Sequence, residues 1–160
     1  MCMQYINANI ALFREISKNK NEVISLIDPF KSIIADRKTI SEFAIVSYIT
    51  LMGSNKKKAN NILDRRGKLE VCIRLTKCTL EDSERISYDL DKFVIDTEDE
   101  ANFVYEDACV PYLNYKRISN IGKIEINLDN PQGSYVVKIL VKEPNETKYT
   151  VQSLHHLEIQ

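Results

Sequence analysis

Three groups of side chains in this 160-residue chain are of types that could do chemistry. The first is basic: Lys56, Lys57, Lys58, Arg65, Arg66 and Lys68, offset only by Asp64. Clustered Lys and Arg attract phosphates by releasing counterions, and an Arg can fork onto one. Binding of single-stranded nucleic acid also calls for aromatic rings on which bases stack. None occurs from Met52 to Thr79. The run therefore reads first as a hydrated connection between strands, with polyanion or nucleic-acid binding as the alternative.

The second group is acidic. Asp96, Glu98, Asp99 and Glu100 crowd one turn, and Glu106 and Asp107 follow. Carboxylates gathered this way are hard ligands that could hold Ca²⁺. The spacing lacks the Asp-x-Asp-x-Asp-Gly frame of an EF-hand, and no Gly is present to fold the turn around an ion. The expectation is a solvated acidic turn. A metal site, or an enzyme using carboxylates within 96–107, is the alternative. The third group is aromatic and basic: Tyr105, Tyr112, Tyr115, Lys116 and Arg117, on or beside a segment, 107–119, that reads as a long loop. Tyr together with Arg is the usual composition of protein contact sites.

Other chemistry is poorly supported. No GxSxG, P-loop or GxGxxG occurs. His155 and His156 are adjacent, so on a strand they face opposite sides and cannot share a metal. Cys2, Cys72, Cys78 and Cys109 have no zinc spacing and read as reduced thiols. No cofactor is expected, and catalysis is the less favoured reading. Net charge is −1, so no global field draws the molecule to a polyanion. The N-terminus lacks the pattern of a signal peptide, no window is apolar enough to span a bilayer as a helix, and the expected location is the cytoplasm. Abundant Asn, Lys and Ile fit a low-GC bacterial or phage gene.

What must position these groups is β-structure. Apolar residues alternate at Phe43, Ile45, Ile49 and Leu51, at Leu69, Val71, Ile73 and Leu75, at Ile124, Ile126 and Leu128, and at Tyr135, Val137, Ile139 and Val141. Period two gives each run one apolar and one wet face. The spacing predicts strands over 4–15, 22–35, 42–52, 68–78, 86–95, 102–106, 121–129, 134–142 and 148–158. Turns are marked by KNKN at 18–21, by Pro131 and Gly133, and by EPNET at 143–147. Asp28-Pro29 should break the second run with a bulge or a switch between sheets, because Pro cannot donate to a ladder. Residues 54–64 lack alternation and allow a short helix.

The order NEVISLIDPFKSIIA, then EFAIVSYITLM, then GKIEINLDNPQGSYVVKILVKE resembles a family of small bacterial single-domain β-sandwich proteins of unknown function. The resemblance spans about two-thirds of the chain and implies a fold but no activity. The segment 53–67 and the acidic block 81–100 stand outside it.

These readings converge on one domain over 1–160, an all-β antiparallel β-sandwich of the immunoglobulin-like or C2-like kind with eight or nine strands. The leading functional expectation is a non-catalytic binding or adaptor protein, recognising a protein partner or a small ligand through loops at one end. Self-association is open if the basic and acidic blocks lie apart. Whether they lie apart is not decided by the sequence.

Overall fold

The computed structural model describes residues 5–18, 24–29, 32–52, 68–78, 86–97, 99, 103–106, 110–128, 130–144 and 146–160. Its strands are β1 (Tyr5–Lys18), β2 (Ile24–Pro29), β3 (Ser32–Ile33), β4 (Ala35–Asp36), β5 (Thr39–Ile40), β6 (Phe43–Met52), β7 (Lys68–Lys77), β8 (Ser87–Asp96), β9 (Phe103–Glu106), β10 (Val110–Ile121), β11 (Ile124–Glu125), β12 (Gly133–Lys142) and β13 (Thr150–Ile159). No helix occurs among the described residues. The helix anticipated over 54–64 lies outside them.

Two five-stranded sheets dominate. The first runs β2-β1-β6-β10-β9 and is antiparallel throughout. The second runs β3-β13-β12-β7-β8 and is antiparallel except where β3 lies parallel to β13. A third, of two-residue strands, runs β11-β5-β4. The chain is therefore all-β, and its arrangement is consistent with a β-sandwich.

Alternation makes the core. Ile45, Ile49 and Leu51 of β6 join Leu69, Val71, Ile73 and Leu75 of β7 and Val137, Ile139 and Val141 of β12 in one buried cluster, with Leu12 and Leu157. Each such side chain contributes about 1.5–3 kcal/mol when taken fully out of water. Tyr135 is the largest fully buried residue among those described, and its hydroxyl donates to the Pro131 carbonyl at 2.6 Å. That bond, four residues back along the chain, pins the turn leading into β12. Gly133 opens β12 at φ +128°, a conformation side chains rarely take.

Pro29 marks a switch between sheets. β2 ends on it, opposite Phe13 of β1 in the first sheet. The next strand, β3, hydrogen-bonds to β13 in the second. A residue without an N–H is tolerated where the chain leaves a ladder.

Two expected elements are corrected. The long loop expected over 107–119 is corrected from residue 110 on: Val110–Ile121 is a twelve-residue strand, paired with β6 from Tyr112 to Ile121 and with β9 from Val110 to Leu113. Its inward positions include Arg117 and Ser119, which find a polar partner inside, so the sequence hides the alternation. The strand expected over 121–129 shrinks to Ile124–Glu125. Its alternation is real, since Ile126 is buried while Glu125 and Asn127 are exposed. Its partner, β5, offers only Thr39 and Ile40.

Among the described residues, no helix is long and apolar enough to cross a membrane.

Candidate functional site

One end of the second sheet is fixed by register. In the β7–β8 ladder, Lys68 lies opposite Asp96. The basic connection 53–67 therefore enters β7 beside the residue where the acidic turn leaves β8. Segment 53–68 carries six cations and one anion, a net +5. Segment 96–107 carries six anions, a net −6. Lys68 and Asp96, the described residues that border the two blocks, face each other across this ladder.

The tyrosine segment comes to the same end. Between the sheets, Arg117 of β10 bonds Asp91 of β8, and Tyr115 stacks on Phe93 with ring centroids 5.8 Å apart. These two contacts run in opposite sequence directions, and each strand advances about 3.3 Å per residue. Three residues further on, Asp96 comes level with Tyr112. Tyr112 in turn pairs with Met52, the last residue before the basic connection, and Pro111 pairs with Tyr105 of β9. Tyr105 and Tyr112 thus lie in the first sheet, toward the end to which β8 runs at Asp96.

Tyr115, Lys116 and Arg117 lie further along β10. Tyr115 packs against the core. Arg117 gives its Nε to Asp91 Oδ2 at 2.8 Å and lies over the Phe93 ring at 4.6 Å from its centroid. Ser119 Oγ donates to the same carboxylate oxygen at 2.5 Å. Although burial opposes its charge, hydrogen bonds from Arg117 and Ser119 hold the Asp91 carboxyl below its usual range. The Arg117 guanidinium is pushed up by the same partnership. Beside it on β6, Ser47 is fully buried, and its hydroxyl finds no hydrogen-bond partner among the described residues. Lys116 faces outward, 5.7 Å from the centre of the Tyr48 ring. Of the five tyrosine-segment candidates, Tyr115 and Arg117 are therefore occupied inside the fold. The signal that could have shown this is the odd-position series Tyr115, Arg117, Ser119, Ile121, which matches the inward face of a strand once polar partners are allowed there.

Of the four candidate metal ligands, Asp96 and Asp99 are described and share a turn, with the Asp99 N–H donating to the Asp96 carbonyl at 3.3 Å. Glu98 and Glu100 lie outside the described residues, as do Lys56, Lys57, Lys58, Arg65 and Arg66. No three His, Cys, Asp or Glu side chains among the described residues are placed to hold a metal.

The outer face of the second sheet carries ion pairs that sequence reasoning missed. Lys142 Nζ meets Glu70 Oε2 at 2.6 Å, and Tyr149 donates to the same oxygen at 3.3 Å. Arg74 Nε meets Asp89 at 2.6 Å, and Lys92 joins Asp89 at 3.2 Å. Hydrogen bonding to Lys142 lowers the Glu70 carboxyl, and hydrogen bonding to Arg74 lowers that of Asp89. Between these pairs, Cys72 is fully buried, and burial pushes its thiol up, with Asp89 adding to the effect. Cys72 and Cys78 are free. Such exposed pairs contribute little singly, so they read as a hydrated, charge-balanced sheet face and not as a site.

The sequence matches no protein-family model and no curated protein. Among solved structures, the CooA pilin subunit from enterotoxigenic Escherichia coli is similar at a TM-score of 0.35 and 11% identity, over 94% of this chain and 95% of that one. Likeness at that level says nothing about activity or partners.

Proposed function

We propose that this protein is a non-catalytic binding protein whose contact surface is the end of the molecule that carries Lys68 and Asp96, where β7 begins and β8 ends. The observation that supports this most is the Lys68–Asp96 register, which pairs the last residue of the basic block with the first of the acidic turn. A surface with both signs and near-zero sum suits a protein partner of complementary pattern, because juxtaposed like charges there reject wrong partners. It suits a polyanion poorly, since the acidic segment repels the phosphates that the lysines would attract. Tyr105 and Tyr112, brought to the same end, add residue types common at contact hot spots.

Two charge-reversed triples test the reading: Lys56, Lys57 and Lys58 to Glu, and Glu98, Asp99 and Glu100 to Lys. Each should lower the capture of host proteins about tenfold or more, an electrostatic effect of the size found at steered interfaces. Melting temperature should hardly move, since surface substitutions usually stay within about 0.5 kcal/mol. Capture of the same proteins by both triples and by the unmodified chain would overturn the proposal. So would tight binding of single-stranded DNA or heparin that weakens steeply with salt and survives the acidic-side triple, which would favour the polyanion reading.

A further inference from the structure

The two long sides of the paired sheets are closed by different means. On the β1/β13 side the backbone itself crosses. The chain passes from β2 to β3 after Pro29, and β3 then hydrogen-bonds to β13. Further bonds run from the Gln160 N–H to the Ile33 carbonyl and from the Ala35 N–H to the Gln160 carbonyl, both 2.9 Å. On the β8/β10 side the chain passes from β8 in the second sheet to β9 in the first beyond Asp96, and no described strand hydrogen-bonds from sheet to sheet along the remaining length. β8 is the last strand of its sheet, and β9 covers β10 only from Val110 to Leu113, so the rest of β10 has no further ladder partner among the described residues.

Side chains close that gap. Asp91 receives Arg117 Nε, Arg117 Nη2 at 3.4 Å and Ser119 Oγ, while Phe93 stacks on Tyr115 and lies under the guanidinium. The ion pair is partly shielded, with side-chain exposures of 35% for Arg117 and 18% for Asp91. Charge-assisted, multiply bonded contacts in such settings are stronger than exposed pairs. One carboxylate thus gathers the donors that tie sheet to sheet here. β8 itself is irregular at this point: Ile73 faces Asp91 and Arg74 faces Asp89, leaving Leu90 as an extra residue. Such a bulge aims a side chain out of the regular pleat.

We propose that the Asp91–Arg117–Ser119 clasp is the gate of the molecule: the sheets part first along the β8/β10 side, where this clasp holds them, and not along the backbone-stapled β1/β13 side. Opening bares Phe93 and Tyr115 while β12, β13 and β3 stay paired. Local openings of this kind are drawn from regions whose closure rests on few contacts.

Amide hydrogen exchange tests this on the full chain. In Asp91→Ala, the ladder amides of β8 and of β10 beyond Leu113 should exchange about tenfold faster or more, with those of β12 and β13 changed little, as expected when one charged hydrogen-bond hub is lost. Glu70→Gln, which removes an outer-face pair, should leave both sides alike. Acceleration of equal size on both sides, or none in β8 and β10, overturns the proposal. If Asp91→Ala does not fold, the unmodified protein decides: β8 and β10 ladder amides should exchange before those of β12 and β13, and the reverse order sinks the idea.

Discussion

Tyr135 carries the clearest consequence at the scale of one residue. Its ring is fully buried, its hydroxyl is bonded to Pro131, and burial raises its pKa from 10.0 to about 12. A raised folded-state value means that the unfolded chain loses the proton first. The neutral phenol therefore stabilises the fold fully below pH 10 and loses that contribution as pH climbs toward 12. The difference corresponds to roughly 2–3 kcal/mol. A stability profile against pH should fall across that window, and Tyr135→Phe should flatten it while costing about 1 kcal/mol at neutral pH through the lost hydrogen bond and the unpaired Pro131 carbonyl. A profile that falls as steeply in the Phe variant would point to another group. Gly133, two residues earlier, supplies backbone freedom. A Cβ there would meet Lys77 Cε only at an ordinary 3.7 Å, so space is not the obstacle. The φ of +128° is, and Gly133→Ala should cost about 1–3 kcal/mol in chemical denaturation.

At the scale of elements, legibility in the sequence followed the polarity of the inner face. Where that face is wholly apolar, as in β7 and β12, strand bounds read from alternation agree with the structure to within a residue or so. The break at Asp28-Pro29 was legible too, because Pro forbids one specific hydrogen bond. β10 was not. Its inner face holds Arg117 and Ser119, made tolerable by a carboxylate on β8, a residue 26 positions away in sequence from Arg117. No local pattern carries that information. The opposite error occurred at 121–129, where alternation was present but a neighbour of matching length was not. Within the candidate site, the types of the charged residues could be read directly, while the facing of Lys68 and Asp96 required the ladder register.

For the whole molecule, acid is the informative stress. Asp91, Asp89 and Glu70 all titrate below their ordinary values, through Arg117 and Ser119, Arg74, and Lys142 respectively. A depressed carboxylate contributes stability that is present above its unfolded pKa, near 4 for these groups, and is lost as pH drops through the folded value. Thermal stability should therefore hold from neutrality to about pH 4 and decline below it. In Asp91→Asn the decline should be shallower, because one of the three linked protons no longer differs between states. An unchanged slope in that variant would assign the acid sensitivity to the outer-face pairs.

The parallel docking of Ser32 and Ile33 against Glu158 and Ile159 sets a timetable. Those partners stand 126 residues apart in sequence, and joining them closes about four-fifths of the 160 residues into one loop. Entropy makes such closures late and slow. A ribosome would release the first sheet's β1, β2 and β6 ready to pair long before the second could complete its border. Until the final strand emerges, Ile33 has no place to hide. From the emergence of Ile33 to that of Ile159 one seam would stay unsewn, and that interval is when a chaperone would matter most.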